Sequence, residues 1–271
     1  MSNFKIGAVS YLNTKPLVYG LDDRSDEFEM IYDLPSRLAD SLAAGDLDVA
    51  LIPVIEAISN PSYTVVSDAC IACRGPVLSV KLFGRVKPEE IKTLALDEGS
   101  RTSAALTQVI LNQKYAVEPI LEELPISRPW RDSKSDAVLV IGDRAMKDIS
   151  AESADEFDFV WDLGQFWNEW TGLPFVFAVW AARPGIPLEG IEHALNAARD
   201  SGLNAVEEIC NRHRSLYDMQ LHECRDYLTK NLHFKIGQHE RRGLELYFEL
   251  LKKQNIISQN LNLQFHDCQT T

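Results

Sequence analysis

Several hydrogen-bonding side chains follow the predicted first strand, in the segment SYLNTKP at residues 10–16. Asn13 is a favoured helix N-cap, so ordinary capping accounts for one of them. The segment holds more polar groups than one cap needs, namely Ser10, Tyr11, Asn13, Thr14 and Lys15. We therefore expect it to form one wall of a ligand site, where a strand ends and a helix begins.

A second polar segment, residues 98–103, follows the predicted strand TLALD. Gly99 permits a tight turn, and the start of the next helix supplies unpaired N–H groups and the positive end of a dipole. Arg101 adds a rigid fork of donors, and hydroxyls come from Ser100, Thr102 and Ser103. This set suits a carboxylate. The alternative is an ordinary N-cap with a surface arginine, and the sequence leaves both open.

Shorter stretches also fall at predicted strand ends or crossovers. Ser79 is a hydroxyl inside the apolar run PVLSVKLFG, where it either faces a ligand or bonds to the backbone of the core. Gly142 follows the buried strand AVLVI, and Asp143 beside it either lines the cleft or caps the following helix. Pro53 follows the strand DVALI, and Phe175 is the first residue of the strand-like run FVFAVWAAR. We expect both residues to line the ligand site.

The order of the predicted elements indicates how these segments are positioned. Strands and helices alternate at the start of the chain and again after Pro88, which indicates parallel sheets covered by helices. Unbroken extended runs at about 77–84 and 174–182 would carry the chain out of one lobe and back into it. We predict an α/β protein with the two-lobed type II periplasmic-binding-protein fold, two crossover strands and a helical C-terminal region.

This fold implies a discontinuous first lobe. We assign residues 1–80 and 180–271 to lobe I and residues 81–179 to lobe II, with the ligand cleft between them. Ligands of such open α/β lobes sit beyond the carboxyl ends of the strands, at helix N-termini. The polar tail, 255–271, is expected to be peripheral.

Composition excludes several classes of function. The chain has 271 residues and a net charge of −13, which argues against nucleic acid binding and means that an anionic ligand needs strong local donors. No apolar run approaches the roughly 20 residues that span a bilayer. No basic and apolar leader precedes the first strand, so we expect a cytoplasmic protein with no membrane partner.

The cysteines and histidines do not form a recognisable metal or catalytic motif. An odd number of cysteines argues for reduced thiols, and these are Cys70, Cys73, Cys210, Cys224 and Cys268. Cys70 and Cys73 have zinc-knuckle spacing, but no second pair follows. Every histidine lies at or after His193. With no phosphate-binding glycine loop and no nucleophile elbow, the site is expected to use hydroxyls, an amide and backbone donors, without a metal.

Five stretches of the sequence resemble a known family. The strings VSYLNTKPL, DVALIPVIE, LALDEGSRTSAAL, AVLVIGD and DLGQFWNEWTGLPFVFAVW are similar to those of the chorismate dehydratases in the futalosine route to menaquinone. The resemblance runs in order from Lys5 to Arg183, about two-thirds of the chain, and SYLNTKPL and WTGLPFVFAVW are its most specific parts. It implies the same two-lobed fold.

The resemblance also implies a reaction, the removal of water from chorismate to give 3-[(1-carboxyvinyl)oxy]benzoate, with no cofactor. Asn13 and Ser79 match polar pocket positions of the family, so we assign them to the enolpyruvyl side chain and the departing hydroxyl. Donors at the ring carboxylate would stabilise the charge that delocalises onto it, and the candidates are Ser100, Thr102 and Ser103. The base is either Glu56 or the enolpyruvyl carboxylate of the substrate.

Two alternatives remain. A sister family, the 1,4-dihydroxy-6-naphthoate synthases, shares the fold but uses a cleft histidine, which the first two-thirds of this sequence lacks. A protein of the same fold could also bind a small carboxylate without catalysis. The oligomeric state is not determined by the sequence.

Overall fold

The computed structural model describes residues 3–146 and 156–266, and their strands form two separate sheets. Cys268 and the end of the predicted tail, 267–271, lie outside the described residues. The first sheet has the spatial order β11 (His233–Lys235), β4 (Thr64–Cys73), β10 (Phe175–Ala182), β3 (Val49–Pro53), β1 (Phe4–Val9) and β2 (Phe28–Asp33). The second has the order β7 (Ile120–Leu124), β6 (Thr93–Asp97), β8 (Ala137–Ile141), β5 (Val80–Gly84) and β9 (Phe159–Asp162).

Helices connect and cover these strands, as the alternating pattern predicted. They are α1 (Pro35–Ala44), α2 (Val54–Ser59), α3 (Thr102–Tyr115), α4 (Asp143–Met146), α5 (Leu163–Thr171), α6 (Glu189–Asn204), α7 (Val206–His213), α8 (Leu221–Asp226) and α9 (Gln238–Lys253). A 3-10 helix spans Leu12–Val18, and a π-helical turn spans Tyr227–Asn231. Within the described part of the chain, no helix has the length and apolar character needed to cross a membrane.

The two sheets differ in how their strands pair. Every residue of β3 is buried, because β3 lies between β1, to which it is parallel, and β10, to which it is antiparallel. In the second sheet, β6 is parallel to β7 and β8, whereas β5 runs antiparallel to β8 and β9. Strand β11 was not predicted, since three residues within a helical region carry too little alternation to reveal a strand.

The chain passes between the sheets at two points. It leaves the first sheet after Cys73 and joins the second at Val80, then returns between the end of α5 at Thr171 and Phe175. The predicted crossover strands are therefore members of one sheet each: β10 pairs along its length with β3 and β4. The lobe division at 80/81 and 179/180 stays a proposal, and sheet membership favours a return crossing before Phe175.

Candidate active site

A cleft lies between the two sheets, at the carboxyl ends of β1, β3, β6 and β8. The cleft is open to solvent, and about 530 Å³ of empty space lies between its walls and its mouth. Nine predicted site residues line it, namely Tyr11, Asn13, Pro53, Ser79, Ser100, Arg101, Thr102, Ser103 and Gly142. The topology thus brings together segments that are far apart in the sequence.

Three predicted site residues do not line the cleft. Ser10 is exposed, because it follows Val9, which faces the cleft, and successive side chains of an extended chain point to opposite sides. Thr14 is fully buried behind Asn13. Phe175 packs against the rings of Trp167 and Tyr247 in the core.

Asn13 is presented to the cleft by the 3-10 helix rather than by a capped α-helix. The residue before this helix, Tyr11, is extended and makes no side-chain cap, so the predicted capping role of Asn13 is wrong. Thr14 Oγ1 donates to Asn13 Oδ1 at 3.3 Å. This bond assigns the amide oxygen to Thr14, so the amide N–H groups are the donors that Asn13 would offer to a ligand.

Ser79 lies in a tight turn just before β5, and not inside a strand as predicted. Its N–H donates to the Val77 carbonyl at 2.8 Å, and Leu78 between them has a φ of 62°. A three-residue turn with a positive φ at a leucine is strained. Asp162 holds it in place, since its two carboxylate oxygens accept from the N–H groups of Val77 and Leu78 at 3.0 and 2.7 Å.

The Ser79 hydroxyl has only a weak internal partner. It donates to the Val77 carbonyl at 3.4 Å, which is longer than a normal O–H···O bond. The Ser79 carbonyl accepts from Gly142 N–H at 2.8 Å, which ties the turn to the end of β8. The turn therefore aims a nearly unsatisfied hydroxyl at a fixed point of the cleft.

Tyr11 packs its ring over Gly142 at the opposite wall. A Cβ at Gly142 would lie 2.6 Å from Tyr11 Cζ, so only glycine allows this close approach. The Tyr11 hydroxyl is buried without a hydrogen-bond partner in the described parts of the chain. Burial, and then the carboxylates of Asp97 and Asp143, raise its pKa, so Tyr11 is a neutral donor at physiological pH.

The segment before α3 behaves only partly as predicted. Ser100 Oγ is buried and has no partner among the described residues, so it is free to donate to a ligand. Thr102 Oγ1, in contrast, donates to the Phe177 carbonyl at 3.0 Å. Ser103 lines the cleft, and the first N–H groups of α3 have no acceptor within the helix.

Arg101 is the one charged group among the cleft-lining residues that the structure describes, and it is already paired. Its guanidinium lies 2.7 Å from Asp40 of α1 and 3.3 Å from Glu56 of α2. A ligand carboxylate would compete with these two carboxylates for the same donors. Glu56, which the sequence suggested as a base, does not line the cleft.

Asp143 lies directly behind the cleft and anchors the wall that carries Asn13. Its Oδ1 accepts from Leu12 N–H at 3.3 Å. Burial raises the pKa of Asp143 to about 6, while the Leu12 N–H and the charge of Lys15 act in the opposite direction. Of the two predicted roles for Asp143, lining and capping, the structure supports neither: it links the second sheet to the first.

The apolar half of the cleft was not predicted from the sequence. The unpredicted lining residues are Val9, Pro35, Ile71, Val77, Val80, Ile141, Phe177 and Ala178, whereas Gly99 belongs to the predicted segment 98–103. Phe177 and Ala178 lie in the same strand as Phe175. The sequence therefore predicted the correct strand, but the lining residues begin two positions after the predicted residue Phe175. The sequence pattern alone cannot distinguish the residues of an apolar cleft wall from core residues, because both are apolar side chains at the ends of strands.

The arrangement suits binding a small carboxylate that also has an apolar part. Apolar walls would cover a ring, and neutral donors from Tyr11, Asn13, Ser79 and Ser100 would contact its oxygen atoms. Within residues 3–146 and 156–266 no group of His, Cys, Asp or Glu is placed to hold a metal ion. Cys70 and Cys73 are buried in β4 and are not among the lining residues.

Comparison with solved structures shows the fold. Protein AF1704 from Archaeoglobus fulgidus superposes with a TM-score of 0.75 at 15% identity, covering 94% of this chain and 98% of that one. The periplasmic aliphatic sulphonate binding protein SsuA from Escherichia coli gives 0.60 at 13% identity, covering 97% and 91%. The predicted periplasmic-binding-protein-like fold is confirmed.

Comparison of sequences identifies relatives over nearly the whole chain. A chorismate dehydratase of Thermus thermophilus is 29% identical over 271 residues, which cover 93% of this chain and 96% of the relative. One of Campylobacter jejuni is 25% identical over 256 residues, covering 92% and 98%. Residues 4–253 match the family model described as menaquinone biosynthesis. The chain therefore belongs to the menaquinone biosynthesis family.

Proposed function

We propose that this protein is a chorismate dehydratase, a hydro-lyase that converts chorismate to 3-[(1-carboxyvinyl)oxy]benzoate. The observation that carries the proposal is the cleft itself. It combines apolar walls with four neutral donors, and two of these, Tyr11 and Ser100, are buried without a partner in the described residues. Buried hydroxyls without partners are costly, so a ligand with oxygen acceptors is expected to satisfy them. The two relatives described above carry this activity in their names.

The elimination removes one proton and one hydroxide from adjacent ring carbons. The proton leaves the carbon that bears the enolpyruvyl ether, its electron pair forms a new ring double bond, and the hydroxide leaves the neighbouring carbon. The ring becomes aromatic, so the enzyme has only to orient the substrate and stabilise developing charge. We assign Ser79 to the departing hydroxyl and Asn13 to the enolpyruvyl group. Ser100 and Ser103, with the start of α3, are assigned to the ring carboxylate.

The base is proposed to be the enolpyruvyl carboxylate of the substrate. Glu56 is the protein alternative, but it pairs with Arg101 and stands outside the lining residues. Histidine is also absent from the described lining of the cleft. If the substrate supplies the base, no carboxylate of the protein has to lie beside the dianionic substrate. Such a carboxylate would be repelled by the negative charges of the substrate.

The first test is incubation of the purified, metal-free protein with chorismate, followed by chromatography and mass measurement of the products. Loss of one water and appearance of the carboxyvinyloxy-benzoate is the expected result. Bound but unchanged chorismate would instead indicate a binding protein of the same fold. If chorismate neither bound nor reacted, the proposal would be wrong, and the substrate of the sister naphthoate synthases would be tried next.

Variants of the site test the assignment of roles. Ser79→Ala and Asn13→Ala should each lower kcat by about 100- to 1000-fold, because each removes a donor that is fixed before the substrate binds. Glu56→Gln should leave kcat within about threefold of the parent value if the substrate supplies the base. Loss of turnover in Glu56→Gln, with chorismate still bound, would contradict the internal base.

A further inference from the structure

The C-terminal helical region contributes a buried tyrosine to the back of the cleft. Tyr227 is fully buried and opens the π-helical turn Tyr227–Asn231. Asn231 Nδ2 donates to the Pro76 carbonyl at 2.9 Å, which fixes this turn against the crossing that carries Ser79. Such π-helical turns occur frequently at functional sites.

The hydroxyl of Tyr227 faces the two residues assigned to the reaction. Ser79 and Asn13 lie close enough to lower its pKa, although burial, the larger effect, raises that pKa well above its usual value. The hydroxyl therefore stays protonated at physiological pH and can donate a hydrogen bond. It makes no hydrogen bond of good geometry to any described residue.

A purely structural role gives this hydroxyl no stabilising hydrogen bond, and its position behind Ser79 distinguishes it from other unpartnered hydroxyls such as that of Tyr63. A buried hydroxyl without a partner costs free energy, and phenylalanine would fill the same space without that cost. Tyr247, which is equally buried, illustrates the usual solution: its hydroxyl donates to the Thr102 carbonyl at 2.9 Å. The Tyr227 hydroxyl instead sits behind a serine whose own hydroxyl has only a 3.4 Å contact.

We infer that Tyr227 is a positioning residue for the dehydration, donating to Ser79 Oγ when substrate is bound so that the serine hydrogen points at the departing hydroxyl. Tyr227 transfers no proton in this role. It releases Ser79 from its weak bond to the Val77 carbonyl and fixes one orientation of its O–H. The inference rests on the proposed function. It extends that function to the C-terminal helical region, which lies outside the sequence motifs that carry the family resemblance.

The test compares Tyr227→Phe with the parent protein in chorismate turnover and thermal unfolding. We expect kcat to fall by up to about 100-fold, since misorientation of a reacting group has effects of that size. KM should stay within about twofold, because Tyr227 does not line the cleft. Tm should be unchanged or higher, because the lost hydroxyl had no partner. If Tyr227 had only a structural role, Tyr227→Phe would either lower both Tm and kcat or leave both unchanged.

Tyr63→Phe is the matched control. Tyr63 is another buried tyrosine whose hydroxyl lacks a partner in the described chain, and it stands outside the cleft lining. This variant should keep the parent kcat. In a Ser79→Ala background, Tyr227→Phe should change the residual rate by less than about twofold, because it acts through Ser79.

The outcomes separate this inference from the proposed function. A parent protein that does not convert chorismate overturns the function, and the role of Tyr227 falls with it. An active parent with an equally active Tyr227→Phe variant overturns only the positioning role. A loss of kcat that simply adds to that of Ser79→Ala would also overturn it, because the two side chains would then act independently.

Discussion

The donors of the cleft are neutral side chains whose hydrogen bonds are incomplete. Ser100 and Tyr11 have no partner in the described residues, and Ser79 has one long contact. Charged groups nearby are mostly committed to each other, as Arg101 is to Asp40 and Glu56. In a protein with a net charge of −13, a dianionic ligand is therefore held by local donors, and long-range attraction contributes little.

Asp143 gives a residue-scale prediction about pH. Its pKa is about 6 in the folded protein and about 3.9 in an unfolded chain. The folded state thus holds this proton more tightly, and the stabilisation present below about pH 4 is lost as the pH rises through about 6. Asp143→Asn cannot ionise, so its stability relative to the parent should increase by about 1 to 2 kcal/mol between pH 5 and pH 8.

Urea unfolding of both proteins at the two pH values measures this difference. Each protein is compared with itself, which removes the effect of other titrating groups that both share. Equal pH dependence in the parent and in Asp143→Asn would show that Asp143 ionises normally in the folded protein.

At the scale of elements, the site depends on how closely strand ends approach each other. Gly142 ends β8 with a φ of 66°, and the Tyr11 ring fills the space where a side chain would be. The same glycine bonds through its N–H to the Ser79 carbonyl. One position thus fixes the distance between two walls of the cleft.

Gly142→Ala should therefore damage both stability and turnover. The methyl group would lie 2.6 Å from the Tyr11 ring and the backbone would be strained, so we expect a loss of about 2 to 4 kcal/mol and a raised KM. Gly45→Ala is the control, since Gly45 has a φ of 82° but nothing within 4 Å. If urea unfolding showed equal losses for the two variants, the contact with Tyr11 would not matter.

At the scale of the whole molecule, ion pairs connect the two sides of the cleft. Arg37 of α1 lies 2.7 Å from Glu98, which follows β6. Arg101 reaches back from the second sheet to Asp40, also on α1. Both pairs are partly exposed, so each contributes little to overall stability. Because each pair joins α1 to the segment that follows β6, we expect both pairs to favour a closed arrangement of the two proposed lobes.

Removal of one such pair should weaken substrate binding more than catalysis. We expect Arg37→Ala to raise KM for chorismate by about threefold with little change in kcat, because it lowers the population of the closed form. Steady-state kinetics at low ionic strength measures this. Arg24→Ala is the control, since Arg24 pairs with Glu27 on one side of the cleft only. An equal KM in all three proteins would exclude a role of the pair in closure.

The sequence predicted most of the elements and much of the polar site. Continuous apolar runs such as VALIP identified buried strands, and helical periodicity identified α1 and α3, because these signals are local. Polar clusters at strand ends identified six of the nine predicted lining residues, since parallel strands place their carboxyl ends at one edge of a sheet. The short strand β11 and the turn at Ser79 lacked such a signal.

The sequence by itself determined the fold class, the family and the segments that approach the cleft, because strand order, helix faces and chain crossings follow from local patterning. Only the tertiary structure decided which side chains are free to bind. Thr102 and Arg101 are engaged with Phe177 and Asp40, whereas Ser100 is not. Tyr227, far along the chain, is brought close to Ser79 by the packing of the C-terminal region. Such pairings depend on distances between segments that share no local sequence, so no pattern along the chain encodes them.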